Sequence, residues 1–358
     1  MLVSACVFPP FFGETTIEYY FLENDSLTTF NPATQNIDSL VLQEEPWLTQ
    51  DDIALYDWSS HLMFLNKNKS EVLRDYYHGD TLQYPPIEQP FVVVVNNRPV
   101  YVGFFRSLFG DWNDENPSIT DFEFMFYGAD VLSYFAIESL IDDDLKNNAT
   151  LKNALKSNDL FHAGIEVDLD LDYGIHISPD TLGTTAIEYK INIQNNDGDN
   201  LYILDPVKAG KSFYLLTNLM PTFRGLNGLA NNAGNLYSQI DFFALPSPDD
   251  YANVDYYFLI PAGEDTTLTL YYTGYNSFEI GSYQCNHWLR NPSEYLTLER
   301  ATKDDGRIWN GIIYPQTFEI SYDGGDIATI TEVDGTTISK QRTLQNTYLD
   351  YREHQITK

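Results

Sequence analysis

Apolar and polar residues alternate most clearly along residues 187–194. One side of this stretch carries four large apolar residues, Ile187, Tyr189, Ile191 and Ile193. A period of two is typical of a β-strand with one buried and one solvated face. A second apolar run at residues 201–204 follows a polar loop with an Asp-Gly step, and glycine readily adopts the positive φ that such turns need. The pattern predicts a β-hairpin over residues 187–204 that opens a second, all-β domain.

The longest apolar run, PFVVVVNNRPVYVGFF at residues 90–105, predicts a buried hairpin. Consecutive valines favour a strand through their stiff side chains, and an unbroken apolar run indicates burial on both faces. Asn96 and Asn97 supply the turn because asparagine tolerates positive φ.

Helical patterns are shorter. Residues 142–158 show approximately helical spacing of apolar residues, with acidic residues leading and lysines following. Thr49, followed by two aspartates, predicts the start of a short helical turn that runs through Tyr56. Strands are predicted at residues 17–22, 61–65, 122–127 and 161–177.

Strand-like runs after residue 250 recur at intervals of about 10 residues, which is the rhythm of an antiparallel sandwich. The predicted fold class is therefore mainly β, with an α+β N-terminal domain and an antiparallel immunoglobulin-like β-sandwich. The predicted organisation has four parts: a tether at residues 1–15, the α+β domain at 16–180, the sandwich at 181–320 and a C-terminal extension at 321–358.

Composition limits the classes of partner. The chain has 358 residues with 52 acidic and 20 basic side chains, which gives a formal charge of −32. This charge opposes binding to nucleic acid or to an anionic membrane by the body of the protein, and it suits cationic partners or divalent ions.

The segment Val3-Ser4-Ala5-Cys6 has the small-residue pattern of a bacterial lipobox, and it makes Cys6 a candidate lipidation site. Only Leu2 and Val3 come before the small residues, and no Lys or Arg occurs before Lys67. A start codon placed late, a trimmed chain and a chance match each explain that pattern. Membrane attachment is expected only through a lipid anchor.

Acidic loops make calcium the one candidate cofactor. Asp197 and Asp199 lie in a loop whose carboxylates and carbonyls are hard-cation ligands, although turn chemistry explains the same residues. The pair Asp323 and Asp326 offers a similar loop. The aspartates at 168, 170 and 172 lack the glycine and glutamate of an EF-hand loop and indicate an exposed strand face.

The sequence contains neither HExxH nor GxSxG, and its six histidines lack ligand spacing. Aromatic residues are abundant, at 15% of the chain. Most alternate within strands and suit a core, but Trp112 lies in a polar loop and is a candidate ligand contact for sugar stacking or a protein interface.

Five segments, DDIALYDWSSHLMFL, PFVVVVNNRPVYVGFF, LKNALKSNDLFHAG, IEYKINIQNNDGDNLYILDP and DGRIWNG, resemble a group of uncharacterised, Bacteroidota-like bacterial lipoproteins. The resemblance implies an N-terminal α+β region, an immunoglobulin-like sandwich, an envelope location and a lipidated cysteine, which is Cys6 in this chain. It implies no catalytic activity.

These observations predict a non-catalytic binding or scaffold lipoprotein of the bacterial cell envelope, anchored to the outer membrane, with a protein or glycan partner and no nucleic-acid partner. Two alternatives remain open. One is a glycan-active enzyme with a cleft at the domain junction, and the other is a structural subunit of a surface assembly.

Overall fold

The computed structural model describes residues 15–23, 27, 29–31, 34–73, 89–106, 116–120, 134–138, 147–178, 181–205, 222–225, 249–274, 281–291, 296–322, 327–332, 337–341, 343–345 and 355–357. The protein is mainly β, with 46% of residues in strands. It divides into two compact units, the first comprising residues 1–57 and 61–162 and the second residues 58–60 and 163–358.

The first unit has one nine-stranded mixed sheet in the order β2-β1-β5-β6-β7-β8-β4-β3-β9. Its strands are β1 (Ile17–Phe21), β2 (Leu48–Thr49), β3 (Ile53–Asp57), β4 (Leu62–Leu65), β5 (Pro90–Val95), β6 (Arg98–Arg106), β7 (Ser118–Thr120), β8 (Tyr134–Glu138) and β9 (Phe161–His162). Two helices accompany the sheet, α1 (Lys69–Val72) and α2 (Ala149–Ser157).

The predicted valine-rich hairpin is confirmed as β5 and β6. Asn96 and Asn97 form its turn with φ values of 50° and 61°. All four valines are buried, as the continuous apolar run predicts. On one face of the sheet, Val92 and Val94 pack in a cluster with Leu22, Phe30, Val102 and Phe104. The central strand therefore has a core on both of its faces.

The opposite face of the sheet is aromatic. Trp47 stacks on Phe21 at a centroid distance of 5.2 Å and meets Phe105 and Phe135 edge-on at 5.4 and 5.6 Å. Phe91 pairs across the ladder with Gly103. A Cβ added at Gly103 would lie only 2.3 Å from Cζ of Phe91, so the glycine lets the phenylalanine ring cover the neighbouring strand.

Helix α2 confirms the later part of the predicted helix, while residues 142–146 lie outside the described residues. The Asn148 side chain caps α2 by accepting from the N–H groups of Thr150 and Leu151. Leu151, Ala154 and Leu155 form its buried stripe. The predicted strand at residues 122–127 also lies outside the described part.

The helical turn predicted from Thr49 to Tyr56 is correct only at its start. Gln50–Asp52 forms a single 3-10 turn, in which Asp52 accepts from both the N–H and the hydroxyl of Thr49. From Ile53 onward the chain is strand β3, which pairs antiparallel with β4. Tertiary pairing overrides the local helix signal there because β3 buries Ile53, Leu55, Tyr56 and Asp57 within the sheet.

In the second unit, three sheets lie among the described residues, in the orders β22-β10-β11-β15-β23, β14-β12-β18-β17 and β13-β16-β19-β20-β21. The strands are β10 (Ile165–Ser178), β11 (Thr181–Asn195), β12 (Asn200–Leu204), β13 (Thr222–Gly225), β14 (Tyr257–Ile260), β15 (Asp265–Gly274), β16 (Gly281–Asn291), β17 (Thr302–Lys303), β18 (Gly306–Ile308), β19 (Gly311–Tyr322), β20 (Ile327–Glu332), β21 (Thr337–Gln341), β22 (Thr343–Gln345) and β23 (Gln355–Thr357). Helix α3 spans Leu298–Ala301.

The two strands predicted over residues 187–204 exist as β11 and β12, but the prediction that they pair as a hairpin is wrong. Strand β11 lies between β10 and β15, whereas β12 lies between β14 and β18 in another sheet. The Asp-Gly step turns the chain from one sheet into the next. The predicted domain boundary at residue 180 falls between the paired strands β10 and β11.

We expect Gly103→Ala to lower the free energy of unfolding by about 1–3 kcal/mol, since the new methyl group overpacks the Phe91 ring within the aromatic face. Urea denaturation of the purified protein measures the change. Gly198→Ala is the control, because nothing lies within 4 Å of a Cβ at that position. Equal losses in the two variants would contradict the packing explanation.

Candidate functional site

A corner in the second unit brings together the acidic residues that the sequence marked as candidates. Strands β11 and β15 pair up to Gln194 and Asp265, and β12 and β14 pair from Leu201 and Ile260 onward. The chain thus crosses twice between the same two sheets, in segments 195–199 and 261–264. The crossings are bonded to each other, since the Asn195 N–H donates to the Glu264 carbonyl at 2.9 Å and the Gly263 N–H donates to the Asn195 carbonyl at 3.1 Å.

The side chain of Asn195 holds both crossings. It is fully buried, and its amide nitrogen donates to the carbonyls of Asp199 and Ile260 at 2.9 and 3.0 Å. Its amide oxygen accepts from the Asp197 N–H at 2.9 Å. Buried backbone groups need partners where a ladder is interrupted, and one amide side chain supplies several of them here.

Beneath the corner, Asp197 and Arg307 form a buried ion pair. The Asp197 Oδ2 accepts from the Arg307 Nη2 at 2.7 Å, and the two side chains are only 5% and 6% exposed. The Asp197 Oδ1 accepts from the Gly198 N–H at 2.7 Å. Arg307 lies on β18, which runs parallel to β12 with Leu201 opposite Arg307. The pair therefore ties the first crossing to β18.

A third loop, the turn between β17 and β18, joins the same surface. Asn200 donates to the Asp305 carbonyl at 2.8 Å and accepts from the Ala262 N–H at 3.1 Å. The Tyr202 hydroxyl donates to the Asp305 carboxylate at 2.9 Å. A Cβ at Gly306 would lie 2.2 Å from the Asn200 carbonyl oxygen, so this close approach requires glycine.

We call segments 196–199, 261–265 and 304–305 together the acidic loop surface. Five exposed carboxylates lie on it, those of Asp199, Glu264, Asp265, Asp304 and Asp305. The pKa of Tyr202 is raised, first by partial burial and then by its hydrogen bond to the Asp305 carboxylate. At neutral pH the phenol therefore stays protonated and donates to Asp305.

Lysine 303, next to this surface, turns inward. Its Nζ donates to the carbonyls of Ala252 and Arg300 at 2.9 and 2.7 Å. Burial lowers the pKa of the Lys303 ammonium group. Its charge is bonded to backbone oxygens, and the exposed carboxylates of the acidic loop surface keep their negative field.

The two candidate calcium ligands occupy different environments. Asp197 is buried and already bonded to a guanidinium, while Asp199 is exposed. The calcium site stays a prediction. Asp168 is exposed on β10, in agreement with the predicted strand face. Three other candidate positions, Cys6, Trp112 and the Asp323 and Asp326 loop, lie outside the described residues.

A second polar junction in this unit involves the turn Trp58–Ser60, which groups with residues 163–358. The buried Trp309 donates its indole N–H to the Ser59 hydroxyl at 3.0 Å, and the Ser60 hydroxyl donates to the Asn310 carbonyl at 3.0 Å. Gly311 has φ of 130°, and a Cβ there would lie 2.2 Å from the Cβ of Ser60. Two of the segments that carry the family resemblance, one containing DWSS and the other RIWNG, meet at this junction.

Sequence reasoning assigned no role to Asn195, Asn200 or Arg307. Weak signals exist for two of them. Asn195 ends an alternating strand where a solvated turn is expected to start, and Arg307 is an isolated cation directly before the apolar residues Ile308 and Trp309. Neither signal identifies the partner, because Arg307 meets a residue 110 positions earlier in the chain.

No protein-family model, no curated protein and no solved structure matches this chain. Among the residues that the structure describes, no helix has both the length and the apolar character needed to cross a membrane.

We expect Asp197→Asn to lower the free energy of unfolding by about 3–5 kcal/mol, because it leaves the Arg307 guanidinium buried without its counter-charge. Chemical denaturation at neutral pH measures the loss. Asp199→Asn, an exposed neighbour in the same loop, is the matched control and should change stability by less than about 0.5 kcal/mol.

Adding Arg307→Met to Asp197→Asn should restore part of the stability, since no charge then remains buried. If Asp197→Asn proves as stable as the unmodified protein, the ion pair has no structural role at the corner.

Proposed function

We propose that the protein is a non-catalytic binding or scaffold lipoprotein of the bacterial cell envelope, in which the second unit is an immunoglobulin-like β-sandwich that presents the acidic loop surface to a partner. One observation carries this proposal. Exposed carboxylates on three separate loops are held from below by the buried side chains of Asn195, Asp197 and Arg307.

Rigid loops on a β scaffold are a common way to build a binding surface, because little conformational entropy is lost when a partner binds. The hydrogen bonds among segments 195–199, 261–264 and 304–305 fix these loops before any partner arrives. Their negative charge favours a partner with a basic protein surface, and such complementarity mainly raises association rates and specificity.

Binding of peptides from an array that varies net charge tests the proposal. We expect basic peptides to bind, with an affinity that falls as salt rises. The triple variant Glu264→Gln, Asp265→Asn, Asp304→Asn should weaken binding roughly three- to hundredfold, taking ~0.2–1 kcal/mol for each exposed ion pair.

The charge-matched control is Asp38→Asn, Glu44→Gln, Glu45→Gln, which removes three exposed carboxylates from the first unit. Equal losses in the two triple variants would mean that net charge, not this surface, attracts the peptides. Binding to a glycan array instead would favour a sugar ligand through other residues.

Turnover assays address the rival functions. Robust hydrolysis of a glycoside, ester or peptide from a broad panel would replace this proposal with the glycan-active or another enzyme. Concentration-dependent assembly in light scattering, without peptide or glycan binding, would favour the structural subunit.

The proposed envelope location depends on Cys6, whose support is the lipobox-like pattern and the resemblance to bacterial lipoproteins. In cells that express the protein from its own gene, we expect mass spectrometry to find a diacylglyceryl thioether on Cys6. Cys6→Ser should shift the protein from the membrane to the soluble fraction. A free Cys6 thiol in the native protein would exclude this anchor.

A further inference from the structure

Two buried tyrosines of the first unit flank one small residue in the sheet. Tyr19 on β1 pairs with Val93 on β5, and Val93 pairs in turn with Tyr101 on β6. Directly opposed residues project from the same face of a sheet, so both phenols lie on the aromatic face with Val93 between them. Neighbouring strands are ~4.8 Å apart, which places the two tyrosine backbones about 10 Å from each other.

The hydroxyls of these tyrosines are enclosed and unsatisfied. Tyr19 and Tyr101 are 0% and 1% exposed, and neither hydroxyl oxygen has a hydrogen-bond partner. The indole nitrogen of Trp47, whose ring packs edge-on against Tyr19 at 5.6 Å, is a third buried donor without a partner. Burying a polar group without a hydrogen bond is unfavourable, so three such groups in one cluster indicate a polar occupant.

The surrounding groups favour an uncharged occupant. Burial raises the pKa of Tyr19, and burial together with the neighbouring phenols raises the pKa values of Tyr56 and Tyr101, so all three stay protonated at neutral pH. The mutual influence of Tyr19 and Tyr101 also indicates that their hydroxyls are close. Tyr56 itself contacts Nδ1 of His61 at 3.1 Å and feels the Asp57 carboxylate.

We propose that the space over Val93, between the Tyr19 and Tyr101 hydroxyls, is a binding site for one buried water molecule. Water matches the chemistry of the site because each phenol can donate to it or accept from it. Buried waters typically make about three hydrogen bonds to otherwise unsatisfied groups, and Trp47 offers the indole N–H as a further donor in the same cluster. This inference is independent of the acidic loop surface and of the proposed function.

The sign of a stability change tests the site. If water bridges the hydroxyls, Tyr19→Phe and Tyr101→Phe should each lower the folding equilibrium constant roughly five- to tenfold, as expected for a lost buried hydrogen bond. The double variant should lose less than the product of the two single effects, because both hydroxyls serve one bridge. Tyr20→Phe, the adjacent residue on the other face of β1, is the control and should show no such coupling.

A high-resolution crystal structure of the unmodified protein and of the double variant provides the direct readout. We expect water density within hydrogen-bonding distance of both hydroxyls, and its loss in the double variant. Phe variants that are as stable as the unmodified protein or more stable would overturn the proposal, since the hydroxyls would then be merely unsatisfied. A direct Tyr19–Tyr101 hydrogen bond with no density between the rings would overturn it as well.

Discussion

One buried amide, the side chain of Asn195, makes the corner of the second unit possible. Where two paired strands leave one sheet and enter another, the regular ladder is interrupted and carbonyl groups at the bend lose their usual donors. Asn195 donates to carbonyls on both crossing segments and accepts from the next turn of its own chain. Asparagine suits this position because a single short side chain carries both donors and an acceptor. The loops above the corner take their positions from it.

Charge is divided at this corner according to burial. The inner carboxylate, Asp197, is neutralised by Arg307 and serves the fold, whereas Asp199, Glu264 and the other outer carboxylates are left to solvent. Neighbouring acidic residues in one loop therefore have different physical roles. A buried pair of this kind fixes geometry more than it adds net stability, because the desolvation of two charges offsets much of their attraction.

The sequence predicts local features well and partners poorly. The valine run specifies a hairpin because its strands, its turn and its burial are all encoded within residues 90–105. Strands β11 and β12 were also evident from alternation, but the Asp-Gly signal indicates only that the chain bends, not that the flanking strands pair. Their true neighbours, β15, β14 and β18, come about 60 to more than 100 residues later. The roles of Asn195 and Arg307 depend on those distant neighbours and leave little local trace.

The distance along the chain between Asp197 and Arg307 has a consequence for biosynthesis. Strands β10 and β11 are joined by a tight connection and can pair as soon as they leave the ribosome, whereas β12 must wait for β14 and then β18. Contacts of high sequence separation form slowly because long loops must close first. During translation the half-finished corner thus exposes an unpaired strand and an uncompensated aspartate, and this interval is when the chain is most open to misassembly or to a chaperone.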